Sequence, residues 1–233
     1  MTTYVLVHGA WSGAHGFRRV RTALQDSGHR VFTPSLTGIG ERAHLTHPGV
    51  GLSTHVDDVV NHVLYEDLDS IVLLGFSYGG CVVTGAVQHI ADRIRHLVYL
   101  DAFVPANGQS VFSLTGRAMG RTDLGDPWLV PPADREFDDP AEGAFMNARR
   151  TPQPIGCFRE PVHLDHALES YTFTRTYIRA TADRPDTPFA AVFDAAAERA
   201  RSSADWRHRE IATNHMVASN RPQELAALLE ELA

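Results

Sequence analysis

The sequence predicts an α/β protein: a mostly parallel sheet covered by helices on both faces. Three observations point there. Short apolar runs alternate with segments of helical period, the runs are too uniformly apolar to face water on either side, and each is separated from the next by a helix-length crossover. The chain has 233 residues, 43% hydrophobic and 21% charged. That is enough chain for one domain with a sizeable core, and too apolar for a disordered one.

The elements follow in order. Tyr4 to Val7 reads as a buried strand, followed by the loop HGAWSGAHG. Phe17 to Gln25 carries Phe17, Val20 and Leu24 at helical spacing and stops near Gly28. Arg30 to Thr33 reads as the second strand, and residues 34–51 as a Gly- and Pro-rich loop. Ser53 is placed as the N-cap of a helix bearing Val56, Val59, Val60, Val63 and Leu64. Ser70 to Leu74 is the most apolar run and reads as the central strand, with a helix over Tyr78 to Ile90 and a strand over Arg95 to Leu100. The alternation breaks after Phe103. Residues 105–165 are rich in Pro, Gly, Asp and Arg with apolar islands, which is too long for a plain connection. They read as a lid inserted into a core of 1–104 and 166–233. Regular structure returns as a strand over Phe173 to Ala180, a helix over Thr187 to Arg201, a strand over Arg207 to Ile211 and a helix over Pro222 to Leu232, with Asn220 as its N-cap.

Composition excludes several functions. The formal charge of −7 argues against nucleic acid, which needs clustered Lys and Arg. No basic run exists to hold an anionic membrane, and no apolar run approaches the length of a membrane span. Two cysteines, Cys81 and Cys157, are too few for a disulfide framework, and Cys81 reads as a buried thiol. With no secretory leader pattern at the start, a cytoplasmic location is expected. The only macromolecular partner left open is a second copy of the chain, as a homodimer.

The chemistry centres on Gly75-Phe76-Ser77-Tyr78-Gly79, a G-x-S-x-G pattern set between the most apolar strand and a helix. The turn must be sharp. Gly75 and Gly79 avoid collisions with neighbouring backbone, and Gly80 lets the helix sit close to the sheet. Ser77 is then a nucleophile raised on a strained turn at a helix N-terminus. Its base should lie after the last strand, where His215 stands in a short loop. His208 competes but falls inside a strand; His163 and His166 belong to the insertion or the surface. The orienting acid should end the preceding strand of the Ser–acid–His order, which selects Asp183, with Asp186 as the main alternative. Asp194 lies in a helix, and Asp101 is read as structural or substrate-facing. Two backbone amides should receive the oxyanion, from Tyr78 and from Ala10, with His8 bracing the loop that carries Ala10. Trp11, Phe76, Tyr78, Phe103, Phe112, Trp128 and Met216 are assigned to the substrate pocket. Gly38-Ile-Gly40 lacks the third glycine of a dinucleotide loop. His44 with His47, and His163 with Asp165 and His166, complete no tetrahedral metal set.

These motifs together resemble one group. The HGAWSG loop, the GFSYGG elbow, the strand ending in TAD and the NHM loop resemble the methylesterase and hydroxynitrile-lyase branch of the α/β-hydrolase family. The resemblance covers roughly residues 3–104 and 172–233. It implies hydrolysis of small, often aromatic, carboxylic esters without cofactor or metal, with Ser77, Asp183 and His215 as triad and Ala10 and Tyr78 as oxyanion donors. Two departures matter. The two strands that precede the first strand in fuller members are missing, so about six strands are expected. Lyase members carry threonine where Ala10 stands and lysine where Met216 stands, so no cation is available for leaving cyanide and hydrolysis is favoured. Lactone, thioester or carbon–carbon hydrolysis would suit the same machinery, and a non-catalytic ligand-binding member is the alternative of another class.

Overall fold

The computed structural model describes residues 1–116, 128–182 and 189–232. Six strands form one all-parallel sheet: β1 (Thr3–Val7), β2 (Arg30–Phe32), β3 (Ile71–Phe76), β4 (Ile94–Leu100), β7 (Thr174–Ala180) and β8 (Arg207–Ile211). Their spatial order is β2-β1-β3-β4-β7-β8. The chain starts one strand in from an edge, adds that edge as β2, crosses back to β3, and winds on to the other edge. The expected six-stranded α/β sheet is therefore present.

The two-residue period of a strand sorts each apolar run onto two faces. Tyr4, Leu6, Val72, Leu74, Val98 and Leu100 point to one side, where they meet Val20 and Leu24 of α1 (Arg18–Asp26) and Leu225 and Leu229 of α9 (Pro222–Leu232). Val5, Val7, Leu73, Leu97 and Tyr99 point to the other. There they meet α2 (Leu52–Tyr65), α3 (Gly79–Ile90) and α7 (Ala190–Ser202) through Val56, Val59, Val83 and Phe193. Burial on both faces is why these strands lack a polar alternation.

Local boundaries follow local chemistry. α1 ends where Gly28 takes φ +83°, with its N–H bonded to Gln25 O, as expected of a glycine stop. Two cap assignments need correction. α2 begins at Leu52, with Gly51 in the cap position, and the Ser53 N–H instead donates to Glu160 Oε2 from the insertion. Asn220 closes the short α8 (Val217–Asn220); its side-chain amide bonds Thr213 and Asn214 rather than capping α9.

The segment between β4 and β7 holds α4 (Val111–Thr115), an antiparallel ribbon of β5 (Leu129–Val130) and β6 (Gln153–Pro154), α5 (Pro140–Asn147) and α6 (Gly156–Arg159). Trp11, in the loop after β1, fastens it to the core. Its backbone N–H donates to Gln153 Oε1, its indole N–H to Val130 O, and its carbonyl accepts from Thr151 N–H. Among the described residues no helix is long and apolar enough to cross a membrane.

Candidate active site

β3 delivers Ser77 at its carboxyl end with φ +54°, a left-handed conformation that a serine adopts only under constraint. The constraint is close packing. A Cβ on Gly75 would come to 2.6 Å of Gly79 O, and one on Gly79 to 2.6 Å of Val7 O. The sharp turn expected of the elbow is therefore built as its glycines imply.

His215 follows β8 and is buried. Its Nε2 lies 3.0 Å from Ser77 Oγ and accepts that hydroxyl. Its ring is held between two phenyl groups: Phe193 stacks at 5.4 Å and 12°, and Phe76 lies tilted at 4.7 Å. Its Nδ1–H donates to Asp101 Oδ2 at 2.6 Å.

Asp101, expected to be structural or substrate-facing, lies against the His215 ring. It stands directly after β4, fully buried, with φ +43°. Its other oxygen accepts from Arg179 at 2.5 Å and from the Ala180 N–H at 3.2 Å. Arg179 in turn reaches Asp194 at 2.9 Å. This carboxylate is dry but paired on both oxygens, the condition under which a buried charge is tolerated. Two backbone bonds tie its strand end to the elbow: Ser77 N–H to Leu100 O, and Phe103 N–H to Ser77 O, each 3.2 Å. Asp183 and Asp186 lie outside the described residues. A sequence signal for Asp101 existed, an acid closing the strand after the nucleophile strand, but only the sheet order makes β4 the neighbour of β3.

The amides named for the oxyanion flank Ser77. Gly9 presses the Ala10 loop onto the nucleophile, since a Cβ there would lie 3.0 Å from the Ser77 Cβ. Among the described residues the N–H groups of Ala10 and Tyr78 have no acceptor, although Ala10 is 9% exposed and Tyr78 fully buried. His8 braces this loop as expected: Nδ1–H donates to Gly9 O and Nε2 accepts from Leu36 N–H. Burial pushes its pKa down to about 4, so it stays neutral and is no competing base. The Tyr78 hydroxyl donates to His55 Nδ1, whose Nε2–H is taken by Thr37 O. His208 sits in β8, as expected. Cys81 and Cys157 are both free and buried.

A cavity with about 500 Å³ of empty space, part of it open to solvent, lies beside Ser77 and His215. Of the predicted pocket residues, Trp11, Phe76 and Met216 line it, with Ala10. Phe103, Phe112 and Trp128 are not on this wall. Phe103 is buried against Phe193 at 5.0 Å, Phe112 packs on the core cluster of α2 and α3, and Trp128 lies beside the ribbon, its carbonyl accepting from Ile155 N–H. Arg135, Met146, Arg150 and Ser219 line it instead, and sequence reasoning missed them. Among the described residues no group of His, Cys, Asp and Glu could hold a metal ion.

Comparison with known proteins places the chain in a family. Residues 4–228 match the Alpha/beta hydrolase family. The chain belongs to the α/β-hydrolase family. It is 35% identical over 249 residues, covering both chains completely, to a carbendazim hydrolyzing esterase of Nocardioides sp.. It is 26% identical to a putative chloroplastic methylesterase of Arabidopsis thaliana, over 77% of this chain and 45% of that protein. An extracellular α/β-hydrolase of a Paenibacillus species has a similar structure, with a TM-score of 0.81, 24% identity, and 99% and 98% of the two chains covered. Tomato methylketone synthase I, at TM-score 0.79 and 20% identity, shares the same fold over 99% and 97% of the chains.

Proposed function

We propose that this α/β-hydrolase cleaves a small carboxylic ester through an acyl-serine intermediate. The observation that carries the reading is the relay from Ser77 Oγ through His215 to a buried carboxylate. The chain is an ester-cleaving serine hydrolase, in keeping with the esterase it resembles over its full length. In the proposed cycle Ser77 attacks the ester carbonyl while His215 Nε2 takes its proton. The Ala10 and Tyr78 amides receive the oxyanion. His215 returns the proton to the leaving alcohol, and water, activated by the same ring, releases the acid.

The orienting acid we propose is Asp101, because among the described residues it is the carboxylate that accepts from His215 Nδ1; Asp183 is the second candidate, from its place after β7. Replacing Ser77 with Ala should lower turnover of a para-nitrophenyl ester about a millionfold. Replacing Asp101 with Asn should cost ~10⁴ in kcat, as a wrongly oriented imidazole does. The same change at Asp183 should cost far less. A larger loss at Asp183 than at Asp101 would return the role to Asp183.

The lyase alternative is not favoured, since Ala10 and Met216 stand where lyase members carry threonine and lysine. We also propose that residues 105–165 act as the lid, since their Met146 and Arg150 form part of that wall. A cytoplasmic location is supported by two free thiols, which survive in reducing compartments. Cell fractionation tests it. The homodimer is tested by light scattering.

A further inference from the structure

The cavity beside Ser77 has a largely apolar wall, broken by hydroxyls, imidazoles and two cations. Trp11, Phe17, Phe76, Met146 and Met216 supply hydrocarbon, whereas the only side chains on the described wall with a permanent charge are two arginines, Arg135 and Arg150. Among the described residues no carboxylate lines it. Glu142, behind Ser219, is consumed by Arg18, Arg19 and the Ser219 hydroxyl.

Arg150 is mounted rigidly. It follows α5, its N–H donates to Asn147 O, and the next residue, Thr151, donates to Trp11 O. Its guanidinium carbon lies 5.7 Å from the centre of a Trp11 ring. Its Nε is buried without an acceptor, and no described carboxylate forms an ion pair with it. Burial, with the field of Arg135, lowers its pKa to about 10, which leaves it charged at neutral pH. A half-buried cation whose Nε–H lacks an acceptor costs stability unless something answers it, and the ring face of Trp11 and the field of Asp134 answer it only in part. A planar fork of donors suits a carboxylate.

We propose that Arg150 is a specificity-determining residue and that the cavity takes esters bearing a second, anionic group, such as a half-ester of a dicarboxylic acid. The free carboxylate binds the guanidinium while the ester carbonyl lies at Ser77. This rests on the acyl-serine reading above. The chemistry balances as ordinary hydrolysis: the acyl C–O bond breaks, the alcohol leaves with the proton from His215, water supplies the new hydroxyl, and the second carboxylate is unchanged.

The test compares mono-para-nitrophenyl glutarate with para-nitrophenyl valerate, which match in length and differ in charge. In the native protein the anionic ester should have the higher kcat/KM, and free glutarate should inhibit valerate hydrolysis competitively. In Arg150→Met the anionic-to-neutral ratio of kcat/KM should fall about 10- to 100-fold, the loss expected when a charged hydrogen bond is removed. Arg150→Lys keeps the charge without the fork and should fall less. Turnover of both esters with an unchanged ratio in Arg150→Met, or no inhibition by glutarate, overturns the proposal alone. No turnover of either ester and no acyl group on Ser77 overturns the acyl-serine reading with it.

Discussion

At the scale of single residues, two side chains at adjacent strand ends hold left-handed backbone, Ser77 at φ +54° and Asp101 at φ +43°. Such conformations cost free energy, so the surrounding packing must enforce them. For Asp101 the enforcement includes Arg179, which donates to Oδ1 while His215 donates to Oδ2. Removing one partner leaves a dry charge under-compensated. Arg179→Met should therefore destabilise the fold by about 3–5 kcal/mol, read as a lower urea midpoint. An unchanged midpoint would show that the pair is not needed. Ser77 and His215 were legible in the sequence because a glycine-flanked motif and a post-strand loop identify them locally. Asp101 was not. Chain order directs attention to the end of β7, whereas contact with His215 depends on β4 lying between β3 and β7. Arg150 was equally hidden, since nothing in a basic residue after a short helix says which wall it will face.

At the scale of elements, the seat of α3 on the sheet sets the height of the nucleophile. A Cβ on Gly80 would come to 2.2 Å of Phe103 O, a rigid backbone atom. Gly80→Ala should thus push the helix outward, costing at least about 1–3 kcal/mol in thermal or urea unfolding and lowering kcat together. Full retention of both would mean that the approach is softer than the geometry indicates. The N-terminus of α2 is completed from the insertion by Glu160, which accepts from Ser53 N–H. Glu160→Gln should cost about 0.3–1 kcal/mol, less at high salt. Strands and core helices were legible because burial on both faces leaves an unmistakable apolar run. The caps were not, because the groups that satisfy the start of α2 come from a hundred residues away.

At the scale of the whole molecule, acid should loosen the fold before its carboxylates titrate. His8, His55 and His96 are each lowered by burial from 6.5 to about 4. Each stays neutral in the folded chain while the unfolded chain takes up its proton. Stability from this source is full above about pH 6.5 and falls as pH drops toward 4. Urea midpoints should therefore decline between pH 7 and pH 4.5; a flat profile would contradict the burial of these rings. The architecture of the core was legible throughout, whereas the insertion was legible only as an interruption. Its short helices and two-residue strands carry no periodicity of their own and take their form from anchors such as Trp11. The account as a whole depends on Ser77 carrying the acyl group. Rapid quenching of a para-nitrophenyl ester reaction followed by peptide mass mapping tests this directly. One acyl mass on the peptide spanning Gly75 to Gly79, absent in Ser77→Ala, is the predicted result; alcohol release with that peptide unmodified and turnover preserved in Ser77→Ala would contradict it.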